Sequence, residues 1–164
     1  MHNQRILLGI SGGIAAYKTL ELVRLMRQAG AQVQVVMTAH AHAFVTPLSL
    51  QALSGRPVRS ALMDLDSEAA MSHIELARWA DQVVIAPATA NCLAKCAQGL
   101  ADDLLTTLCL ATTAPIMLVP AMNRVMWQHP AVQSNVRDLE QRGVRVLPPA
   151  VGEQACGDVG PGRM

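Results

Sequence analysis

The chain has 164 residues and a formal net charge of +1; 51% of it is hydrophobic and only 2% aromatic. That length can bury a single core without disulfide staples, the near-neutral charge gives no field to gather nucleic acid, and the scarcity of rings removes the stacking platforms that bind single strands. The polar start, Met1 to Arg5, leads into an apolar run that breaks at Ser11-Gly12-Gly13, too soon for a signal sequence or a membrane span, so a cytoplasmic protein with no membrane partner is expected.

Arg5 to Ile10 is the first of five short β-rich runs, each too brief for a helix. From Ile14 to Ala29 the polar residues Lys18, Glu21, Arg24 and Gln28 recur at spacings of three, three and four, which puts them on one face of a helix and leaves a broad apolar face. Gly30 ends that helix. Further strands are predicted at Gln32 to Met37, Gln82 to Ala86, Pro115 to Val119 and Val144 to Leu147. Before the last of them, His129-Pro130 opens a helix with proline at its first position, running through Val132, Val136 and Leu139 until Gly143 closes it. Strands alternating with helices imply right-handed crossovers. The predicted fold is therefore a doubly wound α/β domain over residues 1–164, Rossmann-like or flavodoxin-like, with a parallel sheet and helices on both faces. Leu147 to Met164, with four glycines and three prolines, is the one loop-rich region.

No Cys-x-x-Cys pair occurs, so no metal site is expected, and Cys92, Cys96 and Cys109 read as buried thiols. Ligands of an open parallel sheet gather at the carboxyl ends of its strands. There this chain carries Ser11-Gly12-Gly13-Ile14-Ala15, then Thr38, then Pro87-Ala88-Thr89-Ala90-Asn91, then Pro120-Ala121-Met122-Asn123. Two glycines opening a helix let the backbone approach an anion, but a tight strand-to-helix turn has the same sequence. The spacing matches neither the dinucleotide fingerprint nor the nucleotide loop ending in Gly-Lys-Ser/Thr, and no acid ends the second strand to hold a ribose. A mononucleotide fits better than NAD.

Pro120-Ala121-Met122-Asn123-Arg124-Val125-Met126-Trp127 resembles the Pro-x-Met-Asn-x-x-Met-Trp signature of the homo-oligomeric flavin-containing cysteine decarboxylases. The resemblance extends to Ser11–Lys18, His73–Asp81 and Ala155–Met164, and so to nearly the whole chain. It implies FMN as cofactor, with the phosphate at Gly12, Gly13 and Ile14 and the flavin lined by Thr38, Phe44, Thr89, Ala90, Asn91, Cys92 and Ala121. His2, His40, His42 and His129 read as surface or capping residues, with His40 expected to pass near the flavin. The resemblance also implies a catalytic histidine at His73, which reaches a flavin held mainly by a neighbouring subunit. Asn123, with Met122 and Ala155, would take the substrate, and Cys156 would be a proton donor on a mobile flap. A thiol of ordinary pKa, about 8.5, is protonated at neutral pH and can act as an acid.

The implied substrate is 4'-phosphopantothenoylcysteine, on the route to coenzyme A. A cysteine carboxylate has no place for the electrons freed by loss of carbon dioxide, and transient oxidation of the thiol to a thioaldehyde by the flavin creates one. The family further implies a homo-oligomer, a trimer or a dodecamer built of trimers, and a synthetase domain following the decarboxylase part in a longer bifunctional protein. Decarboxylases of peptidyl cysteine, non-catalytic regulators of the same fold and flavin prenyltransferases are the rivals. The Ala155-Cys156-Gly157 segment and the three retained catalytic residues weigh against them.

Overall fold

The computed structural model describes residues 3–62 and 73–164, leaving Met1 and His2 of the sequence reading outside. Five strands, β1 (Arg5–Ile10), β2 (Gln32–Met37), β3 (Gln82–Ala88), β4 (Ile116–Pro120) and β5 (Arg145–Val146), form one parallel sheet in the order β2-β1-β3-β4-β5. The chain moves outward from β1 on one side and from β3 on the other, so the topological switch point, where such sheets bind ligands, lies between β1 and β3.

Period-two alternation sends neighbours in β1 to opposite faces. Leu7 joins Ile85, Leu93, Leu105, Leu108 and Leu118 in one core, while Ile6, Leu8 and Ile10 join Val23, Val35, Met37 and Leu50 in the other. Both faces are covered, which is why the strands read as unbroken aliphatic runs. The covering helices are α1 (Lys18–Gln28), α2 (Pro47–Ser54), α3 (His73–Trp79), α4 (Ala90–Gln98), α5 (Leu104–Ala111), the short α6 (Arg124–Gln128) and α7 (Pro130–Gln141). In α7 the buried residues are Val132, Val136 and Leu139, each contributing about 1.5–3 kcal/mol by leaving water. No helix among the described residues is long and apolar enough to cross a membrane.

Three local features depart from the sequence reading. The segment Ile14–Tyr17 is a 3-10 turn, closed by Ala16 N–H donating to Gly13 O at 2.9 Å, and the α-helix begins only at Lys18. β5 keeps two residues, because Pro148 and Pro149 follow and have no N–H to extend a ladder. The tail is an antiparallel hairpin, β6 (Ala150–Glu153) with β7 (Val159–Arg163), hidden in the sequence by glycines and a proline that ordinary strands avoid.

Candidate active site

Ser11 stitches the loops at the switch point together. Its buried hydroxyl donates to Pro87 O at 2.7 Å and accepts from Thr89 N at 3.0 Å, so the turn after β1 is held against the turn after β3. Thr38 N donates to Ile10 O, and Ala121 N to Ala88 O, bringing the loops after β2 and β4 alongside. Thr89 caps α4 by accepting from Cys92 N at 3.3 Å. Gly12 admits no side chain: a Cβ there would lie 2.4 Å from that of His40 and within 3 Å of the His40 backbone.

Two cavities open on this edge and share Thr89, Ala90 and Met126. One, of about 550 Å³, is bordered by Gly12, Thr38, His40, Asn91 and Cys92. Its acid, Asp103, is already engaged, accepting from Thr106 N at 2.8 Å and pairing with Lys95 at 3.3 Å. The other, of about 630 Å³, reaches from Gly13 and Ile14 past Ala121, Met122 and Asn123 to Ala155 and Cys156. Lys18 lines this second cleft and donates through Nζ to the carbonyl of Met164.

The hairpin closes one side of the larger cleft by resting on the loop before α6. Met122 N donates to Gly162 O at 3.0 Å; a Cβ on Gly162 would fall 2.2 Å from Met122 O, and one on Gly160 would fall 2.9 Å from the Arg124 side chain. Gln154 locks the join: its Nε2 donates to Pro161 O at 3.0 Å and its Oε1 accepts from Arg124 N at 3.1 Å. Asn123 caps α6, its Oδ1 accepting from Val125 N at 2.8 Å, which fixes which way the amide faces. Its Nδ2 then donates to Asp158 Oδ2 at 2.9 Å and reaches Cys156 Sγ at 3.6 Å. An amide donor and an exposed thiol thus meet at the cleft wall.

His73 and Phe44 stand apart. His73 is the half-buried first residue of α3, Phe44 is exposed just after the 3-10 turn Ala39–Ala43, and neither lines either cavity. Gln154 and Asp158 carry most of the hairpin's polar contacts; neither is among the site residues the sequence implies, although Asp158 falls within Ala155–Met164, which shares in the family resemblance. Elsewhere, Cys92, Cys96 and Cys109 meet between α4 and α5. Hydrogen bonding with Cys96 and then burial push the Cys92 and Cys109 thiols above their ordinary range. No cluster of His, Cys, Asp and Glu among the described residues could hold a metal ion.

Fold and site together define a doubly wound α/β protein with a glycine turn at its switch point and an amide–thiol pair facing the adjoining cleft. The chain belongs to the flavoprotein family, whose model matches residues 1–164. It is 58% identical, over 98% of its length, to the coenzyme A biosynthesis bifunctional protein CoaBC of Vibrio vulnificus, and it spans 40% of that relative. Among solved structures it resembles a PPC decarboxylase mutant complexed with pantothenoylaminoethenethiol, at 35% identity and a TM-score of 0.86, over 99% of this chain and 91% of the other. It also resembles the FMN-dependent cysteine decarboxylase SpaF, at 36% identity and a TM-score of 0.84, over 97% and 89%.

Proposed function

We propose that this chain is an FMN-dependent lyase that decarboxylates 4'-phosphopantothenoylcysteine to 4'-phosphopantetheine in coenzyme A biosynthesis. The observation that carries the reading is the Asn123 amide and the Cys156 thiol, 3.6 Å apart on the wall of the cleft that runs to the glycine turn. The likeness to the bifunctional protein of Vibrio vulnificus and to the PPC decarboxylase supports the choice of substrate.

The residues at the switch point fit FMN. The turn at Gly12 leaves no room for a side chain, Thr38 and Thr89 bring hydroxyls to the same cavity, and the acid there is neutralised by Lys95, so a phosphate meets donors without an opposing charge. Gly12, Gly13 and Ile14 would hold the phosphate, and Thr38, Thr89, Ala90, Asn91, Cys92 and Ala121 the rest of the cofactor, with Phe44 a further contact. Bound FMN would supply a reversible two-electron oxidation of the substrate β carbon, making a C=S group that takes up the electrons left as carbon dioxide departs.

The chain's own residues do the rest. Asn123 donates through Nδ2 to the substrate carboxylate and orients it without bringing a like charge. Met122 and Ala155 border the same substrate. Cys156 gives its Sγ proton to the former α carbon of the enethiolate that remains, while the hydride taken up by FMN returns to the sulfur-bearing carbon, so that the thiol is restored and no external reductant is consumed. His73 accepts a proton in the oxidative half, at a site on a neighbouring subunit, which accounts for its absence from both cavities of its own. A homotrimer, alone or assembled into a dodecamer, provides that neighbour. The chain is the decarboxylase domain of a cytoplasmic bifunctional protein whose remaining length is the synthetase.

Incubating the purified protein with 4'-phosphopantothenoylcysteine should yield carbon dioxide and 4'-phosphopantetheine, with FMN visible in the absorbance spectrum; a colourless protein that takes up no added FMN overturns the reading. Cys156→Ser should still release carbon dioxide but accumulate an enethiol two hydrogens lighter than the final product. His73→Asn should stop carbon dioxide release with FMN still bound. Full turnover by a monomer in solution would exclude the shared site.

A further inference from the structure

Asp158 is a polar group the scheme above leaves unused, and its surroundings give it a role. Its Oδ2 accepts from Asn123 Nδ2 at 2.9 Å and lies 3.9 Å from Arg124 Nε, while its own carbonyl accepts from Gln154 N at 2.7 Å. The turn is completed by Gly157 N donating to Gln154 O at 2.9 Å, with Cys156 between them. Asp158 thus joins two structures. Its backbone closes the turn that carries the thiol, and its side chain fastens that turn to the loop carrying the amide. It lines neither cavity, so its charge sits behind Asn123 and away from the space a substrate carboxylate would occupy.

Resting on the function proposed above, we propose that Asp158 is a positioning residue: a latch that, through Asn123 and Arg124, holds the Cys156 thiol at the cleft wall for the proton-delivering half of the reaction. Asn123 has two Nδ2 hydrogens, and Asp158 takes one of them. The amide is held from both sides, because Oδ1 is bound to Val125 N, and Nδ2 also makes longer contacts with Gln154 Oε1 at 3.5 Å and Cys156 Sγ at 3.6 Å. Without the latch, the exposed turn at Ala155–Gly157 is tied to the loop before α6 only through Gln154 and the long contact of Cys156 with Asn123, so its internal backbone bonds open more often. Carboxylate binding and carbon dioxide loss need Asn123, and only the last proton needs Cys156 in place. The latch should therefore act on the second half alone.

The test uses the holoprotein, with Asp158→Ala and the near-isosteric Asp158→Asn, whose amide oxygen can still accept from Asn123. Two quantities are read: hydrogen exchange at the Gln154 and Gly157 amides, and the products of an anaerobic single turnover with one equivalent of 4'-phosphopantothenoylcysteine per bound FMN. For Asp158→Ala, exchange should quicken about tenfold or more, the scale of a lost charge-assisted hydrogen bond. Carbon dioxide release should stay within about threefold of the parent on the same reasoning, while the enethiol replaces most of the final product. Asp158→Asn should recover most of both quantities. Unchanged exchange in Asp158→Ala overturns the latch, as does equal loss of carbon dioxide and final product in both variants. If the parent protein itself forms no product, the proposed function fails, and exchange alone decides whether the latch exists.

Discussion

In β1 five of six residues are buried, and four of those are Ile or Leu packed between two helical layers; in β7 only Gly160 and Gly162 are buried, against the Arg124 side chain and the Met122 carbonyl. The first strand is held by apolar area, which no single contact dominates. The second is held by the absence of two side chains and by a few directional hydrogen bonds donated by Gln154, Asn123 and Met122. Stability in a protein is not uniform, and elements with few apolar contacts open at lower cost than the core. The scaffold and the element that borders the cleft are therefore held by different forces.

The largest break in this comparison comes from the scaffold. Leu105→Ala removes a fully buried side chain from the core beneath β1 and β3, and should cost about 2–5 kcal/mol in denaturant unfolding. Ser11→Ala, at the join between scaffold and site, strands Thr89 N and leaves Pro87 O only the backbone N–H of Ser11 as a donor. It should cost about 1–3 kcal/mol and weaken FMN retention, measured by cofactor release on dilution. Gly162→Ala forces a side chain onto a φ of +148° and against Met122 O. Unfolding of the sheet should move by no more than about 1 kcal/mol while residues 150–163 become open to proteolysis; equal loss of both would show that hairpin and sheet unfold as one.

The smallest effect belongs to Arg5 and Asp81, an exposed pair at 2.7 Å at the opposite end of the sheet. The Arg5 side-chain hydrogen bond, then its backbone N–H, holds the Asp81 carboxyl below its usual range. A lowered carboxylate pKa adds stability above the unfolded value, near 3.9, and that stability is lost as pH falls through the folded value. Asp81→Asn should flatten the thermal midpoint between neutral and acid pH slightly, and added salt should shrink even that difference.

Strands β1 and β2 begin and end where the sequence pattern places them, and so does the proline that opens α7, because aliphatic runs, capping chemistry and glycine ends are decided within a few residues. The glycine turn and the signature loop were equally legible as candidates for the site. What local pattern could not carry was the join between them. Asn123 meets Asp158 and Gln154 across 35 and 31 positions, and the hairpin that makes this possible is written in glycines and prolines that resemble a loop. Nor could pattern say that His73 and Phe44 lie outside both cavities.

The amino-acid sequence by itself determined the layered α/β scaffold, since burying an aliphatic strand between two apolar helix faces is favourable wherever those residues fall in that order. Tertiary structure alone decided which polar atoms meet, since hydrogen bonds act only over about 3 Å and their partners are brought to that range by the docking of distant segments, not by anything in their own neighbourhoods.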